Sequence, residues 1–147
     1  MISGKLVHLM VSHQEAVLDR VAQQIRRDPD MAQTGAILTG LRQWHKELLE
    51  SLTHWLDKGN SETLQRRLQH VGRDRLEQAV PLHECVRDLC LLKQVLLDFV
   101  EEHTLTKDSM ELYAEEELDR RVGRFFDLSI VHLVRGYESA HRHVAAA

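Results

Sequence analysis

The feature that most constrains this chain is an apolar repeat at spacings of three and four residues, sustained over long stretches and nowhere replaced by a period of two. Leu41, Trp44, Leu48, Leu52, Trp55 and Leu56 give the clearest instance. That spacing places the apolar side chains on one face of a helix and leaves the other face to water. An earlier stripe of Leu6, Leu9, His13, Val17, Val21 and Ile25 predicts a first helix, with Gln14, Asp19, Arg20, Gln23 and Gln24 largely opposite. Asp28, Pro29 and Asp30 end it, because a residue before proline is driven out of the helical region.

A short helical turn is expected from Met31 to Leu38, and Thr39 reads as the N-cap of the second helix, with Gly59 as its stop. Ser61 can cap a third helix bearing Leu64, Leu68, Val71, Leu76 and Val80. The stripe resumes beyond Pro81 with Leu82, Val86, Leu89, Leu92, Leu96 and Val100, so the segment is either one helix kinked at the proline or two helices meeting there. Thr104 to Lys107 break the pattern, and Asp108 to Glu111 have capping-box spacing. A last helix with Leu112, Leu118, Val122, Phe125, Ser129, His132 or Leu133, and Gly136 inward should reach about Arg142. The expected fold is all-α: an antiparallel four- or five-helix bundle, with a globin-like arrangement as the alternative.

At 147 residues the chain fits a single domain spanning 1–147. Only 3 Phe, 2 Trp and 2 Tyr are present, so the core is expected to be aliphatic. A formal charge of -4 argues against a nucleic-acid partner, since each arginine pair has an acidic neighbour. No stretch is apolar enough to span a membrane and no signal sequence opens the chain, so a cytoplasmic location is expected. Cys85 and Cys90 would point about 140° apart on a helix, which excludes a disulfide between them, and both read as reduced core residues.

Catalytic and metal signatures are missing. Metal-binding helices pair ligands three or four residues apart, and none of the ten histidines is so placed relative to another. There is no nucleophile elbow and no glycine-rich phosphate loop. The expectation is therefore neither enzyme nor cofactor. His13, His83 and His132 lie on or near apolar stripes and are the weak candidates for lining a ligand pocket; haem bound to a globin-like sensor would need a proximal imidazole and more aromatic lining. The acidic stretch from Glu101 to Asp119 reads as a solvated face, with Leu112 and Leu118 marking its inward side. On the last helix, Phe126, Ile130, Val134 and Tyr137 form a second apolar strip beside the first. They are the candidate surface for a homodimer or a protein partner.

Four segments carry a resemblance. HQEAVLDRVAQQIRRDP (13–29), LRQWHKELLESL (41–52), HVGRDRLEQAVPLHECVRDLCLLK (70–93) and FFDLSIVHLVRGY (125–137) together resemble the RsbRD-type N-terminal domain. Such domains stand at the N-terminus of stress-signalling co-antagonists and of bacterial sensor histidine kinases. The resemblance implies a non-catalytic input domain that passes a signal through its C-terminal helix to a downstream module, and it transfers no catalytic residues. Pro81 departs from the smooth helix that the family pattern has. The alternative outside this class is a stand-alone helical adaptor.

Overall fold

The computed structural model describes residues 4–58, 62–103 and 109–146. They form α1 (Gly4–Ser12), α2 (Gln14–Arg27), a 3-10 turn (Pro29–Met31), α3 (Ala32–Ala36), α4 (Leu38–Lys58), α5 (Glu62–Glu77), α6 (Leu82–His103) and α7 (Ser109–Ala146), with no strand among the described residues. The all-α bundle expected from the repeat is present, its frame being the five longer helices α2, α4, α5, α6 and α7. One apolar core joins them, mostly aliphatic but including Trp44, Trp55, Phe99, Phe125 and Phe126: Val17, Val21, Leu48, Leu52, Leu68, Leu89, Leu92, Leu96, Leu118 and Phe125 are all essentially inaccessible.

Several boundaries differ from the sequence reading, each for a local reason. The first stripe is broken at His13 into α1 and α2, and His13 is exposed. Asp28 does end α2, in an extended conformation before Pro29, and its carboxylate accepts from the Asp30 amide at 2.9 Å. α4 begins at Leu38, so Thr39 lies inside the helix and is not its cap. The proposed signals at Gly59, Ser61, Thr104 to Lys107 and Asp108 lie outside the described residues. Leu112 is 50% exposed and does not mark an inward side, whereas Leu118 is fully buried.

At Pro81 the alternative of two helices holds. α5 closes in a Schellman motif: Ala79 N–H donates to the Leu76 carbonyl at 2.9 Å and Val80 N–H reaches back to Arg75 at 3.0 Å. Ala79 sits at φ 58°, a left-handed conformation usually given to glycine. The Pro81 carbonyl then accepts from Glu84 and Cys85, starting α6.

The most extensive helix pair is α5 with α7. They touch backbone to backbone, because Gly72 and Gly136 stand at the crossing. A Cβ on Gly72 would lie 2.7 Å from the Tyr137 amide nitrogen and closer still to the Leu133 carbonyl oxygen. On Gly136 it would lie 2.6 Å from the Gln69 carbonyl carbon. These obstacles are main chain and cannot rotate aside. Gly72→Ala should therefore force the helices apart, at a cost on the order of 3 kcal/mol. Thermal unfolding should register this as a fall in Tm of roughly 10 °C, with Gly136→Ala behaving alike; an unchanged Tm in both variants would contradict the close crossing.

Candidate functional site

α6 is apolar toward the core, yet near its N-terminus it carries three polar side chains, of which Glu84 and Arg87 reach the segment that links α2 to α4 and Asp88 reaches α4 itself. Their spacing places them along one side of the helix. The Glu84 carboxylate is buried and accepts from both the backbone N–H and the hydroxyl of Thr34, each at 2.9 Å. Thr34 belongs to the first turn of α3, whose amides have no partner within so short a helix, so Glu84 acts as a cap supplied from a distant element. Arg87 pairs with Asp28 at 2.7 Å. The Asp28 carboxyl is held below its ordinary value, first by the Asp30 amide and then by Arg87.

Asp88 is the innermost member. Both its oxygens lie within reach of His45 Nε2, at 2.8 and 3.0 Å, and both side chains are nearly inaccessible. A single imidazole nitrogen is thus held against both carboxylate oxygens. The half-buried Arg75 guanidinium lies near enough to feel Asp88 and Cys85; burial lowers its pKa and those acidic groups raise it. Cys85 itself is pushed up to about 12 by burial, which leaves a neutral, unreactive thiol. Beside it the Tyr137 hydroxyl donates to the Val80 carbonyl at 2.8 Å, linking α7 to the α5–α6 corner. The result is a buried polar clasp joining α3, α4 and α6, next to the α5–α7 crossing. Its members bind each other, which suits it to fixing the relative position of elements.

The histidines singled out in the sequence are not brought together. His13 and His83 are exposed, so neither is a core residue. His132 is buried on α7, and its Nδ1 has no hydrogen-bond partner among the described residues. Cys90 is also exposed, contrary to its reading as a core residue, while both cysteines are free. No group of three or more His, Cys, Asp or Glu among the described residues could hold a metal ion. On α7, Phe126 is fully buried, and Ile130, Val134 and Tyr137 are half-buried within the monomer. Phe126 thus packs inward, while the other three are partly covered by the monomer. No helix of the described residues is long and apolar enough to cross a membrane.

The model of the RsbT co-antagonist protein rsbRD N-terminal domain matches residues 15–147. The chain belongs to this family. It is thus a regulatory domain of the stress-signalling type, and the RsbRD resemblance seen in the four helical segments is confirmed over all but the first turns of the chain. No match is found among curated proteins or among solved structures. Within the RsbRD-type domain, sequence reasoning missed His45, Glu84 and Asp88. A signal for them was present: His45 lies four residues from both Leu41 and Leu49, and Glu84 and Asp88 lie in helical register with Leu92.

Two measurements test this account. Glu84→Ala leaves the buried amide and hydroxyl of Thr34 unmatched and should cost about 2 kcal/mol, with amide exchange rising selectively at residues 28–38; Glu84→Gln, which keeps an acceptor oxygen, should lose less. The second concerns pH. Burial, then Arg135, lowers the His132 pKa from 6.5. The unfolded chain therefore binds the proton more readily, and stability is lost as pH falls below about 6.5. Replacing His132 by Leu should flatten that part of the stability profile, and an unaltered slope in urea titrations between pH 7 and pH 5 would count against it.

Proposed function

We propose that this RsbRD-type domain is a non-catalytic, cytoplasmic input module that passes a signal through α7 to a downstream signalling module, working as a homodimer. The observation that carries the reading is the layout of α7. This helix has 38 residues, is sealed into the core from Leu118 to Gly136, and ends in an exposed stretch from His141 to Ala146. A shift of packed helices at the crossing with α5 would thus be delivered directly to whatever follows, the small interhelical displacement by which many regulatory domains act. The family name associates such domains with RsbT antagonism, and an RsbT-type signalling protein is the partner class this reading favours.

The homodimer is supported by apolar side chains that α7 leaves in solvent: Met110 at 84%, Tyr113 at 62%, Leu112 at 50% and Val131 at 46% exposed. Sedimentation at micromolar concentration should give a dimer. Replacing Met110, Tyr113 and Val131 by Ser should yield a folded monomer. A parent protein that is strictly monomeric would remove the dimer and favour the adaptor alternative, in which the same side chains meet a different protein.

A further inference from the structure

The sequence stripe from Leu6 to Ile25 is that of one continuous helix, yet the chain bends at His13. Bends of this kind have identifiable causes such as proline, glycine or an inserted group. None is present: the residues around the joint are Val11, Ser12, His13, Gln14 and Glu15, and His13 makes no side-chain cap. Helical hydrogen bonds persist across it, from His13 N–H to the Leu9 carbonyl and from Val17 N–H to the His13 carbonyl, both 3.2 Å. What holds the bend is tertiary. Met10 is buried against the core and Val7 packs on it, with α1 resting on α4 and α6.

That seat is loosely filled. A cleft of about 280 Å³ separates Met10, Val11 and Gln14 from Leu49, Thr53 and Leu96, and another of about 830 Å³ runs beside Gly4 and Val7 toward His54 and Arg121. A ring stack clamps the joint itself. The His13 ring lies 5.3 Å from Phe99 and 5.2 Å from His103, which stack on each other at 4.0 Å. Arg20 covers Phe99 at 5.5 Å and is fixed by two bonds to Glu102 at 3.0 Å. Finally, α1 and His13 precede residue 15, where the family match starts.

We propose that α1 is a hinged arm with two discrete states: docked and bent at His13, as seen, or swung out in line with α2 as one helix through Arg27, uncovering the Leu49–Leu96 groove between α4 and α6. The straight state gains a regular helix at the joint and gives up the burial of Met10 and the ring clamp. The inference stands independently of the signalling role of α7.

The test is a spin-label distance measurement on the full chain, with labels at His8→Cys and Glu50→Cys, both exposed sites, and Cys90→Ser to remove the accessible thiol. Cys85 remains, buried and unreactive. The parent should show a short main distance and a discrete minor one longer by on the order of 10 Å, given a nine-residue arm rising about 1.5 Å per residue. His13→Ala, which removes the clamp and raises helix propensity, should enlarge the longer population several-fold. Met10→Asp undocks the arm without touching the joint and should populate the same longer distance. Far-UV circular dichroism on each variant confirms that the body is folded. A single short distance throughout would overturn the hinge, and a broad, featureless spread in Met10→Asp would show an arm that unravels, overturning it equally.

Discussion

Two helices can approach to backbone contact only where neither carries a Cβ at the point of crossing, and here that condition is met by Gly72 on α5 and Gly136 on α7. Everything around the crossing is arranged by it. Because α5 lies so close, Phe125 and Phe126, adjacent in sequence and therefore about 100° apart on the helix, can both be enclosed. Their rings meet edge to face at 5.3 Å, and Trp55 of α4 meets Phe125 at 5.7 Å. The aromatic content of the chain is low, and three of its seven aromatic residues meet here, two on α7 and one on α4. Tyr137 then ties α7 to the Val80 carbonyl, one residue past the left-handed Ala79 that turns the chain from α5 to α6.

The polar clasp meets a different requirement. The linker between α2 and α4 carries short elements whose amide groups need partners, and the hydrophobic effect has no directionality with which to place them. α6 supplies that direction through Glu84 to Thr34, Arg87 to Asp28 and Asp88 to His45. Burying the Glu84 and Asp88 carboxylates confers little net stability. It does specify one arrangement, because any slip of the linker or of α4 along α6 would strand a carboxylate or an imidazole away from its partner.

Helix existence was legible in the three-and-four repeat, since amphipathic periodicity states directly which face is dry. Helix breaks were legible only where a backbone rule acts alone, as at Pro29. At His13 no residue announces the bend, because its cause lies in α4 and α6. His83 shows a related limit: its helical neighbours at four, seven and eleven residues onward are Arg87, Cys90 and Gln94, all exposed, so the stripe assigned to it was the wrong one of two overlapping faces. The clasp was harder still. A charged residue on an apolar face reads as an interruption, and its partner is 43 residues away for His45 and Asp88 and 50 for Thr34 and Glu84. Pattern along one helix carries no information about what another brings opposite.

The wide apolar face of α7 follows the same logic. Two adjacent apolar strips on one helix need two covering surfaces, and a monomer provides both when a neighbour can come within backbone contact. α5 covers one side through the glycine crossing, and α6 and α4 contribute the rest. A wide face thus does not by itself imply a second copy of the chain. It also bears on how α7 could act. A crossing made of main chain has no large side chain locked into a groove, so small displacements along it meet less steric resistance than at an interdigitated contact. The Tyr137 hydrogen bond and the enclosed phenylalanines oppose such displacement at either end of the crossing. A domain built this way is held firmly through its centre, where α7 lies against α5.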